Sequence, residues 1–185
     1  MWCSEMEMKS ISNSIDQKRL FQKLKNREKS IALVFLAALL IGLWLPSRII
    51  VSTSASLKHR IFFLTNPRGN IKTGDYLVFR HKVEHETFVK RGLNKENNRL
   101  IKQVGCSPGE ILAKDADNRF FCGKILLGKA LTKDSEGRNL PQFNFIGPVP
   151  DNNYFMVGSN PRSFDSKYFG FIHADQILYK ALPLW

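Results

Sequence analysis

Four scattered histidines give no metal-ligand spacing, and none of the three cysteines pairs with a histidine as a thiol protease requires, so neither a metal nor a cofactor is expected. The basic residues come with no zinc-ligand spacing and no aromatic RNA-binding signature, which argues against nucleic acid as a partner. No internal repeat or low-complexity segment is visible, and beyond the first apolar run no long stripe of period 3.6 appears, so the bulk of the chain does not read as helical. Acids are also scarce, with 16 Asp and Glu against 28 Lys and Arg. What is present is apolar: 43% hydrophobic residues, including 14 Phe, argue against disorder for the chain as a whole.

The 185 residues divide at one uncharged run, Ser30 to Leu45, closed by Pro46. It is short for a bilayer crossing, which usually takes about 20 residues, but Trp44 suits the interface and Ile49 to Val51 add depth if Arg48 snorkels. Before it, residues 1–29 carry seven cations and four acids, and six of the cations lie between Lys18 and Lys29. Under the positive-inside rule that is a cytoplasmic flank. The expected organisation is a basic cytoplasmic tail over 1–29, a transmembrane anchor over 30–46 and an exported domain over 47–185. A core helix of a soluble protein and a cleavable secretory signal are the alternatives, the latter because Ser54-Ala55-Ser56 resembles a small-residue cleavage site. The exported part keeps 21 cations against 12 acids, which suits anionic lipid or acidic partners.

Past the anchor, short β-rich runs recur between turn signals: 60–65, 75–80, 99–104, 111–113, 119–122, 124–127, 154–157 and 176–182. Residues 81–99, dense in Lys, Glu and Asn, read as an exposed excursion, and Thr132 to Asn139 as a polar loop. A mainly antiparallel β domain follows. Ile61, Phe62 and Phe63 are assigned to the core in preference to lipid. Cys106 and Cys122, 16 residues apart at the ends of neighbouring strands, are open to two readings, a bridge or two free, partly buried thiols.

Two positions carry candidate chemistry. In the run Leu100-Ile101-Lys102-Gln103-Val104, strand alternation puts Lys102 on the face of Leu100 and Val104. Burial there disfavours the ammonium and leaves an amine able to accept a proton, the base that a serine hydroxyl needs. Ser56 is such a hydroxyl, next to the apolar Leu57, and Ser54 falls on its side if the segment is extended. Ser54 would then donate to an oxyanion together with the Ser56 backbone N–H.

Four segments, Ser54-Ala55-Ser56-Leu57, Gly74 to Phe79, Ile101 to Glu110 and Arg162 to Gly170, follow the order of the type I signal peptidase boxes. Asp134 to Pro141 and the ending Pro183-Leu184-Trp185 resemble the TraF-type branch encoded by conjugative plasmids. The resemblance implies a signal-peptidase-like β domain with one N-terminal transmembrane helix, in a bacterial inner membrane, with the N-terminus cytoplasmic and the catalytic domain periplasmic. It implies a serine endopeptidase with Ser56 as nucleophile, Lys102 as general base and Ser54 as oxyanion donor. Ser163 matches the hydroxyl that orients the lysine, and Asp165 with Lys167 matches a supporting acid–base pair, with Lys where Arg is usual. The partner implied is an exported precursor such as a prepilin, cleaved or joined head to tail. The branch often has a proline and a glycine shortly after the nucleophile, where this chain has Lys58 and Arg60. A noncatalytic anchored scaffold of a conjugative secretion complex is the competing function.

Overall fold

A computed structural model describes residues 27–67, 69–81 and 99–185. Residues 1–26 of the expected cytoplasmic tail over 1–29 and nearly all of the excursion over 81–99 lie outside the described residues. Contacts divide the chain into two compact units, Met1–Ser47 and Arg48–Trp185. In the first, one helix, Arg27–Arg48, is long and apolar enough to cross a membrane. At 22 residues it spans about 33 Å, because the helix takes in the flanking charges as well as the uncharged run. None of its apolar window is buried, whereas a core helix is mostly buried.

The second unit is built from two antiparallel sheets. Its strands are β1 (Ile49–Val51), β2 (Ile61–Thr65), β3 (Tyr76–Arg80), β4 (Arg99–Cys106), β5 (Ile111–Lys114), β6 (Arg119–Cys122), β7 (Ile125–Lys129), β8 (Gly147–Pro148), β9 (Asn153–Val157), β10 (Ile172–His173) and β11 (Ile177–Pro183). The larger sheet runs β1-β2-β11-β3-β4-β9-β10 and the smaller β7-β6-β5-β8. Ile49 to Val51 therefore do not extend the membrane helix, because they pair with Phe63, Phe62 and Ile61 of β2. In β2 the alternation sends Phe62 and Leu64 inward, while Ile61 and Phe63 stay half-buried. Only Phe62 of the three aromatic and branched residues assigned to the core is fully enclosed.

The central strands set the position of the candidate site. Tyr76 to Phe79 are all buried, so β3 is covered on both faces and reads as a continuous apolar run. β4 lies beside it with Lys102 opposite Leu77, and on its other side Val104 faces Met156 of β9. Register then slips at Gly105, where Cys106 pairs with Phe155. A bulge of this kind re-aims the residues beyond it. Val104 and Met156 pack in one core cluster, whereas Cys106 and Phe155 join the cluster shared with the smaller sheet. Glycine suits position 105 at this crossing, since a Cβ there would lie 2.9 Å from Val157 Cγ1 and force that side chain to shift. Cys106 and Cys122 form a disulfide, Cα–Cα 5.5 Å, that ties β4 to β6.

Candidate active site

The serine cluster occupies the loop between β1 and β2. Ser52 N–H donates to Arg60 O at 2.8 Å and closes the loop at its base, and buried Leu57 anchors its tip in the core. The segment turns at Ala55 and Ser56, so the extended backbone on which the pairing of Ser54 with Ser56 was conditional is not what brings them together. The turn still joins the two hydroxyls, with Ser54 Oγ donating to Ser56 Oγ at 3.1 Å.

Lys102 approaches from β4. Its side chain is only 3% exposed, and Nζ donates to Ser163 Oγ at 2.8 Å. Burial lowers the amine from its ordinary value to about 8, against the attraction of Asp165 and with the help of the Lys167 charge. No hydrogen bond joins Lys102 to Ser56 among the described residues. Both line one cavity of about 690 Å³, together with Ser54, Leu131, Leu140, Phe164 and Tyr168.

Ser163 and Asp165 come from the turn after β9. Asp165 is fully buried and caps the short helix Ser166–Phe169. Its carboxylate accepts from Lys167 Nζ at 2.6 Å, Lys167 N at 3.2 Å and Gly158 N at 2.9 Å. Lys167 is 2% exposed, so this is a buried ion pair whose acceptor oxygens are also satisfied by backbone. The structure thus brings Ser54, Ser56, Lys102 and Ser163 to one place and sets Asp165 behind them.

Sequence reasoning missed two residues that hold this arrangement. Gly158 lies between the serines, since a Cβ on it would be 2.1 Å from Ser163 Oγ and 2.8 Å from Ser56 O. Asn160 clamps the serine loop, its N–H donating to Ser56 O at 3.3 Å and its Nδ2 to Ala55 O at 3.2 Å. The Gly158-Ser159-Asn160-Pro161 turn signal marks a loop, but nothing in it tells which backbone that loop will meet.

As for metal ligands, Cys106, Glu110 and Cys122 come within 4.8 Å of one another. Both sulfurs are bonded to each other there, leaving one carboxylate.

A family model, "Signal peptidase, peptidase S26", matches residues 24–185. The chain belongs to the signal peptidase family. Signal peptidase I of Buchnera aphidicola subsp. Schizaphis graminum is 41% identical over 49 residues, which is 26% of this chain and 15% of that protein. The signal peptidase I of Buchnera aphidicola subsp. Acyrthosiphon pisum is 39% identical over a stretch of the same length and coverage. The matched stretch is thus a small part of these curated signal peptidases. A crystal structure of a signal peptidase I from Enterococcus faecalis V583 aligns with 22% identity and a TM-score of 0.36, covering 60% of this chain and 97% of that one.

Proposed function

We propose that this signal peptidase family member is a membrane-anchored serine endopeptidase of the TraF-type branch, with Ser56 as nucleophile and Lys102 as general base. Its substrate is an exported precursor, a conjugative pilin. The observation that carries the reading is the state of Lys102: an enclosed amine, lowered to about 8, on the wall of the cavity that Ser54 and Ser56 also line. A lysine kept at its ordinary value would hold its proton at neutral pH and could not act as a base.

In this mechanism the neutral amine takes the Ser56 proton as the oxygen attacks the scissile carbonyl carbon, and later returns that proton to the leaving amine. The Ser56 N–H and the Ser54 hydroxyl stabilise the oxyanion. At rest Ser54 engages Ser56 Oγ and Ser163 engages Lys102 Nζ, so proton transfer requires Ser56 Oγ to exchange its partner for the amine inside one cavity. Asp165 does not touch reacting atoms. It neutralises Lys167 and holds the Gly158 N–H, the residue packed between Ser163 and Ser56. Water then releases the acyl group, or the substrate's own N-terminal amine does so and closes a circular pilin. The helix Arg27–Arg48 anchors the enzyme in the bacterial inner membrane, with residues 1–29 cytoplasmic and 47–185 periplasmic.

The test is precursor processing in membranes by Ser56→Ala and Lys102→Ala chains. Each is expected to lose at least about a hundredfold in rate. Undiminished processing would leave the noncatalytic scaffold in its place. An intact mass one water lighter than the linear product would identify cyclisation.

A further inference from the structure

The cavity wall carries two cations that the peptidase chemistry does not use. Arg162, one residue before Ser163, and Arg99, at the start of β4, are both exposed, and both line the cavity. Neither makes an ion pair with a described residue. The acid on the same wall, Asp134, is already matched, because Arg138 reaches its Oδ2 through Nε at 2.6 Å and Nη2 at 2.5 Å. Its Oδ1 accepts the N–H groups of Glu136 and Arg138, each at 2.9 Å. Among the described lining residues the balance of charge is therefore positive.

Arg162 is also fixed at its root. Its N–H donates to Asn160 Oδ1 at 2.8 Å, and the same side chain holds Ala55 O through Nδ2. The backbone of this cation is thus tied to the loop that carries Ser56. Arg99 stands three residues from Lys102 along β4, about 10 Å at the strand rise, and by strand alternation projects from the opposite face at the cavity's rim. A guanidinium presents a planar fork that matches a carboxylate.

We propose that Arg162 and Arg99 select a substrate segment carrying an acidic side chain near the scissile bond, one that pairs with a guanidinium on the cavity wall. The inference rests on the peptidase reading of the same cavity. For a peptide running along β4, the acid opposite Arg99 sits about three residues from the bond that breaks.

The experiment uses the full chain in neutral detergent micelles with quenched fluorescent decapeptides, small residues before the scissile bond and Glu, Gln or Lys at each flanking position. Glu is expected to raise kcat/KM about two- to fivefold over Gln at two positions, the range for exposed ion pairs, with Lys slower still and the preference shrinking at high salt. Arg162→Glu should invert the preference at one of these positions and Arg99→Glu at the other. Binding of the same peptides to the Ser56→Ala chain, followed by fluorescence anisotropy, reads the charge preference without cleavage. Equal affinities and rates for Glu, Gln and Lys would overturn the proposal. A rate that depends on anionic vesicles through Arg162, with no preference for substrate charge, would also overturn it and assign the guanidinium to a lipid headgroup. Failure of the peptidase reading looks different: processing unchanged in Ser56→Ala.

Discussion

At the residue scale, Gly158 and Lys102 carry the most demanding environments. Gly158 is required because two other groups occupy the space a side chain would fill, namely the Ser163 hydroxyl and the Ser56 carbonyl. Gly158→Ala is expected to cost about 1–3 kcal/mol in urea unfolding and to reduce processing by more than that loss of folded protein explains, since the shift falls on the serines themselves. Burial of the Lys102 amine costs stability. Its folded value of about 8 lies below the ordinary 10.5, so the penalty on the ammonium is fully present below pH 8 and vanishes as pH rises through 10.5. Lys102→Met is therefore expected to be more stable than the parent at pH 7, by at most about 3 kcal/mol, with the gap closing between pH 8 and 10.5. Urea midpoints of the two chains at pH 7 and pH 10 check the sign. Activity of the parent should rise about tenfold per pH unit up to about 8 and then level, which a kcat/KM profile measures.

At the element scale, β4 links both sheets. Its middle offers Lys102 to the cavity, the Gly105 bulge turns its end, and Cys106 then reaches Cys122 on β6. A bridge closing a loop of this length contributes about 3 kcal/mol, mostly through the unfolded chain. The Cys106→Ala/Cys122→Ala chain is expected to lose about that much in urea unfolding while keeping the pH profile of the parent. The strap lies beyond the bulge, and Lys102, Leu77 and Ser163 do not depend on it for their contacts. A shifted profile would show that the smaller sheet positions the amine.

At the scale of the whole molecule, one long apolar helix and one folded domain are separate units. The basic balance of the domain, 21 cations against 12 acids after the apolar run, allows it to adhere to anionic lipid without any anchor. Salt separates the two effects, because it screens surface charge and leaves hydrophobic insertion intact. After a high-salt carbonate wash the full chain is expected to remain with the membrane pellet. A chain that begins at Arg48 should appear in the supernatant.

Eight of the eleven strands among the described residues were legible because β-rich runs alternate between turn signals, as in Arg119–Cys122, and strand period alone put Lys102 among apolar neighbours. The strands not anticipated, β1, β8 and β10, are two or three residues long, too short to show a period, and Ile49 to Val51 gave the same apolar signal as the helix they follow. Local order along the chain, then, determined the longer strands, the uncharged run and the candidate serine and lysine. Only the tertiary structure decided that the two cysteines meet and that Gly158 and Asn160 hold the serine loop, and it supplied the 2.8 Å contact of the lysine amine with Ser163 that the resemblance implied. Each of those contacts joins segments far apart in sequence or depends on a bulge or turn, and pairing across a sheet is set by packing on both faces, which no single stretch of residues encodes.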